Sequence, residues 1–287
     1  MTRDLLAPGD RIGDYKIERG LSVDEHGLVY LGTHVVLPRR AEIKVMYPGT
    51  WTRAVAVQML REACIREALG HPGVPRVYEC GVLADRRPWT ASEHLDGTTI
   101  AEAIASAPLS IADLTSVLRD TAALLHHAHA RGVVHRQLTA DAIVRTPDRS
   151  FGVCVRDWGD ALTLDTEAHV RVNARDDVHA LGVIAFRALT GQLPDRTVSA
   201  ADRCPAAPDD LTALIDRMLA TDPAARPTSA DVHDRVRWLA DTVVPLAIDR
   251  PLRPTDVPRW TPPHGLPPDQ IPVIEDDGFA VRITRKP

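Results

Sequence analysis

The sequence predicts an α+β fold in which a β-rich first third is followed by a helical region and a proline-rich tail. Segments 14–17, 27–31 and 41–46 alternate apolar and polar residues, as half-buried strands do. Within 110–130, apolar residues recur at three- and four-residue steps, the spacing of one buried amphipathic helix. From Pro245 onward, closely spaced prolines exclude helix and central strand and favour extended polyproline conformation. We therefore expect a packed body followed by a tail.

Composition narrows the classes of function. The chain has 287 residues, enough for one large domain or two small lobes, and 44% hydrophobic content, which is ordinary for a globular core. A net charge of -5 provides no basic field for nucleic acid or anionic lipid. The four cysteines are far apart, no secretory segment stands at the start, and the apolar runs are too short to span a bilayer. We expect a reduced, cytoplasmic protein without nucleic-acid binding or membrane insertion.

Two loops in the middle of the chain carry the most specific motif. One runs from Val133 to Val144 and reads Val-Val-His-Arg-Gln-Leu-Thr-Ala-Asp-Ala-Ile-Val; the other, Val155 to Gly159, reads Val-Arg-Asp-Trp-Gly. They resemble the catalytic and metal-binding loops of the bacterial serine/threonine protein kinase family, which read His-Arg-Asp-Leu-Lys-Pro-x-Asn and Asp-Phe-Gly. The resemblance implies a two-lobed kinase-like fold with the metal-binding aspartate at Asp157.

Three positions depart from this pattern. The catalytic aspartate falls on Gln137, the lysine on Thr139 and the metal-binding asparagine on Ala142. A glutamine side chain is neutral at all accessible pH, so Gln137 can orient a hydroxyl but cannot accept its proton. Ala142 binds no metal. On these grounds the sequence predicts a pseudokinase, a degenerate member of the family that is not an enzyme and has no catalytic residues.

Other motifs occur in the family's order and extend the resemblance over about residues 10–242. Ala41-Glu-Ile-Lys-Val-Met46 resembles the Val-Ala-Ile-Lys strand, which makes Lys44 the phosphate-binding lysine and Glu62 the helix glutamate that pairs with it. Before the final helix, Arg226 lacks its usual glutamate partner and has to find another acid or face solvent. The resemblance implies an N-lobe over 10–94, a C-lobe over 95–243 and a tail over 244–287.

The resemblance implies a nucleotide pocket that is altered both in the phosphate-covering loop and at the adenine position. Of the three glycines in the phosphate-covering loop only Gly27 remains, and Asp24 and Glu25 place negative charge at its tip, although an ordinary acidic hairpin is the alternative. Glu42 replaces the alanine that touches adenine in the family and lies close enough to pair with Lys44; the alternative is that it leans out to solvent. We expect no cofactor and doubtful binding of ATP and magnesium. The vestigial pocket comprises Gly27, Val29, Glu42, Lys44, Glu62, Ser92, Glu93, Leu95 and Asp157.

The segment between Asp157 and Asp177 is too short for an activation loop, its phosphosite and the Ala-Pro-Glu anchor, so we expect no platform for a substrate peptide. His126, His127 and His129 diverge along a helix and predict no metal site. His135 is expected to be a hydrogen-bonded packing residue.

The predicted function is therefore that of a protein-binding scaffold or regulator whose partner is another protein. Phe279, Val281 and Ile283 alternate as in a short strand that could dock on a sheet edge. The alternative is an unstructured terminus. Two other functions stay open. One is an atypical transferase that moves AMP or another group with Lys44, Glu62 and Asp157; the other is a nucleotide-sensing switch.

Overall fold

The computed structural model describes residues 6–23, 27–47, 53–163, 173–195, 197–243, 273–276 and 281–284. It divides into two compact units, Met1–Pro245 and Leu246–Pro287. The first unit contains the sheet and helices predicted from the sequence. The second contains a pair of short strands.

A six-stranded antiparallel sheet forms the first part of the larger unit. Its strands are β1 (Arg11–Ile12), β2 (Tyr15–Val23), β3 (Gly27–His34), β4 (Arg40–Met46), β5 (Val77–Val82) and β6 (Pro88–Glu93). They are arranged in the order β1-β2-β3-β4-β6-β5. The alternation in sequence is explained by burial: Ala41, Ile43 and Val45 of β4 are buried on one face, while Glu42 and Lys44 are half-buried on the other.

One helix, α1 (Arg53–Leu69), packs against β5 and β6. Helical spacing is apparent in the sequence over 58–70, and the helix itself begins earlier, at Arg53. Met59, Ala63 and Leu69 recur at helical spacing and are buried. Their burial holds the helix against the protein and thereby places Glu62 beside the cleft.

The second part of the unit is mainly helical. Its helices are α2 (Ile100–Ser106), α3 (Ile111–His129), α4 (Ala174–Thr190), α5 (Ala200–Arg203), α6 (Asp209–Met218) and α7 (Ser229–Val243). Short strands bound the loops: β7 (Thr98–Thr99), β8 (Val133–Val134), β9 (Ile143–Arg145), β10 (Val153–Val155) and β11 (Leu162–Thr163). The predicted 110–130 helix is α3, whose residues Leu114, Leu118, Leu124 and Leu125 are fully buried.

Local capping fixes where these helices begin. Ser110 accepts from the Asp113 amide at the start of α3, and Asn173 accepts from the Arg175 amide at the start of α4. A capping box is present at the start of α7, because Asp231 accepts from the Thr228 amide at 2.9 Å and donates its own amide to Thr228 Oγ1 at 3.1 Å. Among the described helices, none combines the length and apolarity that crossing a membrane requires.

The smaller unit corrects the prediction of a single terminal strand. Two strands, β12 (Val273–Asp276) and β13 (Val281–Thr284), pair antiparallel, with Ile274 opposite Ile283. Val281 and Ile283 therefore lie in a strand, as expected, but that strand pairs within the unit. Phe279 lies outside the described residues.

Candidate active site

Asp177 anchors the first of the two motif loops. Its carboxylate accepts hydrogen bonds from the backbone amides of His135 at 2.8 Å and Arg136 at 2.7 Å, and it is 1% exposed. Arg136 has a left-handed backbone with φ 71°, and β8 pairs with β11 just before it. A buried carboxylate that accepts two backbone donors makes strong, charge-assisted bonds. These two hydrogen bonds thus fix the backbone on the N-terminal side of Gln137.

His129 extends this anchor to α7. One ring nitrogen lies 2.9 Å from the Asp177 carboxylate and the other lies 2.9 Å from the Ser229 hydroxyl. The order Ser-His-Asp is that of a hydrolase triad, but Ser229 is 4% exposed and Asp177 is already bound to two amides. Substrate cannot reach such a serine. The chain of contacts joins α3, α4 and α7 beneath the loop.

The three altered motif positions have different surroundings. Gln137 is exposed at the loop surface. Thr139 closes a turn, since its carbonyl and its hydroxyl both lie within hydrogen-bonding reach of the Ala142 amide, at 3.1 and 3.2 Å. Ala142 is fully buried. Thr139 is also exposed, but its hydroxyl is used in the turn, so Gln137 is the altered residue whose side chain is available to a substrate.

The second loop presents Asp157 and buries Trp158. Asp157 has a left-handed backbone with φ 65°, and its side chain is 67% exposed with the guanidinium of Arg156 at 3.9 Å. Trp158 is fully buried and donates its indole N–H to the Val155 carbonyl at 2.8 Å. The ring of His135 meets Trp158 edge to face at 4.6 Å, and its Nε2 lies 2.9 Å from the Arg156 carbonyl. His135 is a packing residue, as predicted, and it joins the two loops.

Helix α1 contacts the second loop directly. Gln58 donates its side-chain amide to the Gly159 carbonyl at 3.3 Å. A Cβ atom at Gly159 would lie 3.3 Å from Glu62 Oε2, so the small residue lets the helix approach. Among the described residues, the ion pair of Glu62 is with Arg66 at 3.7 Å. Lys44 also acts on Glu62, because its positive charge lowers the pKa of that carboxyl.

Burial raises the pKa of Glu62 above its usual range, and the negative charge of Asp157 adds to this, against the opposing effects of Arg66 and Lys44. A carboxyl with a raised folded-state pKa binds its proton more tightly in the folded protein, so stability falls as pH rises through the window between the unfolded and folded pKa values. Near neutral pH the ionised Glu62 therefore lowers stability.

We expect Glu62→Gln to raise the melting temperature at pH 7, because the amide mimics the protonated carboxyl. Below pH 4, where Glu62 is protonated in both folded and unfolded protein, the two proteins should melt together. Thermal unfolding followed across this range checks the result, with Glu67→Gln on the same helix as the control. A variant that is less stable than the native protein at pH 7 would show that the charge of Glu62 stabilises the fold.

Glu42 pairs with His94, a partner that the sequence analysis did not expect. Its Oε1 lies 3.1 Å from His94 Nδ1, and His94 Nε2 lies 3.4 Å from Asp96. The side chain of Glu42 is 24% exposed, so the alternative that it leans fully into solvent is excluded. The strand period did place Glu42 on the same face as Lys44. The sequence analysis missed His94, although this titratable residue directly follows β6, the strand in which Ser92 lies opposite Glu42.

Other predicted pocket residues have mainly structural contacts. Glu93 is engaged by Arg149 at 2.6 Å and by the Arg76 amide at 3.2 Å. A Cβ at Gly27 would lie 2.3 Å from the Val45 carbonyl oxygen, so the strand pair itself requires glycine there. The remaining predicted members, Ser92, Leu95 and Val29, are half-buried. Val29 lies directly opposite Lys44 in the sheet.

Arg226 was expected either to pair with an acid other than the missing glutamate or to face solvent, and it pairs with an acid. It donates to Asp176 in the first turn of α4 at 2.8 Å and to the Ala220 carbonyl at 2.8 Å. Asp24, Glu25 and residues 164–172, on which the loop-tip and activation-segment predictions rest, lie outside the described residues.

Similarity to known proteins is extensive in both sequence and structure. No family model matches the chain. It is 32% identical over 210 residues to the serine/threonine-protein kinase Pkn1 of Myxococcus xanthus, across 65% of this chain and 30% of that protein. It is 28% identical over 266 residues to PknJ of Mycobacterium tuberculosis, across 78% and 45% respectively. The chain thus spans less than half the length of these curated relatives.

Among solved structures, the Mycobacterium tuberculosis PknI kinase domain superposes with a TM-score of 0.65 at 24% identity, covering 82% of this chain and 99% of that one. The fold is therefore the two-lobed α+β fold of a protein kinase domain. The curated relatives are named as serine/threonine-protein kinases, which points to an enzyme. This finding overturns the expectation, drawn from Gln137 and Ala142, that the chain is not an enzyme.

Proposed function

This chain is a homologue of bacterial Hanks-type serine/threonine protein kinases, and on that premise we propose that it is an enzyme that transfers a group from a nucleoside triphosphate. The observation that carries the proposal is the joining of three elements around Asp157. Gln58 of α1 holds the Gly159 carbonyl, and His135 of the first loop packs on Trp158. A transfer reaction requires such positioning, because its reacting groups have to be held in a fixed geometry.

The side chains around Asp157 fit a magnesium nucleotide. Magnesium is usually held by one or two carboxylates together with substrate phosphates, and Asp157 offers an exposed carboxylate with its charge next to Glu62. Ala142 has no ligand atom, so the set fits one ion at Asp157. When bound, the ion would neutralise charge on the phosphates. Lys44 would bind phosphate oxygens from the facing strand.

Gln137 can assist transfer without accepting a proton. Its amide oxygen can receive the hydrogen bond of an attacking hydroxyl and orient it. Phosphoryl transfer passes through a loose transition state, in which positioning and electrostatic stabilisation supply most of the catalysis. A fixed loop with an exposed amide therefore supports a slow transferase. Transfer of AMP is an alternative reaction at the same site, and the retained Lys44, Glu62 and Asp157 also allow it.

Two labels distinguish these reactions. The full chain is incubated with magnesium and ATP labelled on either the γ- or the α-phosphate, with itself and a mixed protein preparation as acceptors. Transfer of γ-label with release of ADP identifies a kinase, and transfer of α-label with release of pyrophosphate identifies an AMP transferase. Lys44→Met is the loss-of-function control. If neither label moves and no nucleotide product appears above that control, the proposal is wrong.

We also propose that affinity for ATP is low, because the Glu42–His94 pair occupies the position where related kinases have a small residue against the base. We expect magnesium ATP at 1 mM to shift the melting temperature of the native protein by less than about 1 °C. Glu42→Ala should give a larger shift, since stabilisation follows RT ln(1 + [L]/Kd). Glu18→Ala, outside the cleft on β2, is the control. A clear shift in the native protein refutes the blocked-base argument.

A protein-binding role is the second candidate. Within the described part of the tail, β12 and β13 form a sheet of two strands, and a lone two-stranded sheet is marginally stable in water. Its outer edges can pair with a strand of another protein.

We expect deletion of residues 246–287 to leave the melting temperature of the larger unit unchanged within about 2 °C, as measured by calorimetry. Unfolding of the truncated chain would make the tail part of the domain.

A further inference from the structure

Two of the four cysteines lie on neighbouring surfaces of α1 and the sheet. Cys64 is on α1 and Cys80 is on β5, and both are exposed free thiols. Cys154 is fully buried, and Cys204 lies at the end of α5. The pair on α1 and β5 has no part in the transfer chemistry proposed above.

Strand register places Cys80 on the face that α1 covers. Cys80 lies directly opposite Thr90 in β6, and Thr90 lies directly opposite Lys44 in β4. Side chains of residues directly opposite one another project from the same face of a sheet. Lys44 acts electrostatically on Glu62 of α1, so this is the face toward the helix.

The helix turn next to Cys64 is fastened to the start of the strand that carries Cys80. Arg66 donates to the Pro75 carbonyl at 2.8 Å, and Glu67 accepts from the Val77 amide at 3.1 Å. Helix α1 and strand β5 are therefore neighbours along this stretch. Burial is the largest cause that raises the pKa of Cys80, and the neighbouring thiol of Cys64 is the next. The helix–strand contacts thus place the two cysteines on adjacent elements, and the electrostatic effect of Cys64 on Cys80 agrees with that placement.

We propose that Cys64 and Cys80 are a redox modification site, at which an oxidant of the hydroperoxide class closes a reversible disulfide between α1 and β5. With hydrogen peroxide as the oxidant, the sulfur of Cys64 first attacks one peroxide oxygen, the O–O bond breaks, and a sulfenic acid and water are formed. In the second step the sulfur of Cys80 attacks that sulfenic sulfur, the S–S bond forms, and a second water leaves. Two thiols are oxidised and one peroxide is reduced. A dithiol reductant reopens the bridge by exchange.

The order of the two steps follows from the surroundings of the thiols. Thiolate is the reactive form of cysteine, and the raised pKa of Cys80 keeps that residue largely protonated near neutral pH. Cys64 is accordingly the thiol that meets the oxidant first. Cys80 closes the bridge from within the same chain.

The bridge would fix the helix that reaches the second motif loop. Glu62 lies two residues before Cys64, and Gln58 of the same helix holds the Gly159 carbonyl. A covalent link to β5 restricts movement of this helix against the sheet. Oxidation therefore sets the position of Glu62 beside Asp157, whatever group the site transfers.

The test uses the full native chain treated with hydrogen peroxide and analysed by mass spectrometry without reductant. We expect a loss of about 2 Da per chain and, after trypsin, a joined pair of peptides, residues 62–66 with residues 77–86. The melting temperature should rise by about 5 °C on oxidation and fall back on reduction. Cys64→Ser and Cys80→Ser should each abolish the joined peptides and the shift, whereas Cys204→Ser should keep both.

Three outcomes overturn the proposal. One is a bridge that joins two chains, and another is a bridge that includes Cys204. The third is separate addition of oxygen to Cys64 and Cys80 without a joined peptide. Hydrogen exchange of α1 provides a second measurement on the folded native protein, because the bridge should slow exchange of its amides. Equal exchange in the oxidised and reduced chains would show that the bridge does not hold the helix.

Discussion

Replacing Asp157 by asparagine should lower the transfer rate by about 10²- to 10³-fold, because the side chain loses the charge that holds magnesium and stabilises the phosphates. The backbone at this position is left-handed, with φ 65°. Asparagine adopts that conformation readily, so the variant should keep the loop geometry. The buried Trp158 that follows is untouched. The loss is therefore expected in kcat, with an unchanged melting temperature.

Asp160→Asn is the matched control for this variant. Asp160 lies three residues further along the same loop, and its contact with the first motif loop is through its backbone carbonyl, which accepts from Arg136 at 3.3 Å. Removing its charge leaves that contact in place. Full activity in the Asp157 variant, or an equal loss in both, would place the metal elsewhere in the cleft.

The sequence predicted most of the architecture because burial of one face gives apolar residues a regular spacing along each strand or helix, and this spacing is visible in the sequence. Alternation in β4 followed from the buried Ile43 between the half-buried Glu42 and Lys44, and spacing in α3 followed from its buried leucines. Caps were equally local, since Thr228 and Asp231 are three residues apart. Such features depend on neighbours in the chain, and the sequence displays those neighbours.

Partners across the fold were less predictable. Glu42 and His94 are 52 residues apart, and their contact depends on the rotamers that the packed cleft allows. Glu62 was expected to pair with Lys44, and the sequence analysis did not foresee its ion pair with Arg66, one helical turn away. Strand β12 was missed because it directly follows Pro272 in a proline-rich stretch that argues against strands. In each case tertiary packing decided between residues that the sequence left equivalent.

Gln137→Asp should raise the transfer rate, by about 10²-fold in kcat, because a carboxylate at this position can accept the proton that the native amide cannot. Both neighbours of Gln137 are held in place: the Arg136 amide donates to Asp177 at 2.7 Å, and Leu138 is buried. The new side chain would therefore project from an already fixed backbone. Binding of the nucleotide should change little, since Gln137 lies on the loop and not in the sheet that lines the cleft.

The control is Gln137→Asn, which has the length of aspartate without its charge. If a base limits the native enzyme, the aspartate variant should exceed the asparagine variant, and its kcat should rise with pH as the carboxyl loses its proton. If the two variants are equally active, proton acceptance does not limit the reaction, and the loose transition state of phosphoryl transfer accounts for activity with glutamine at this position. The comparison thus measures directly how much of the proposed transfer rate depends on a carboxylate at this position.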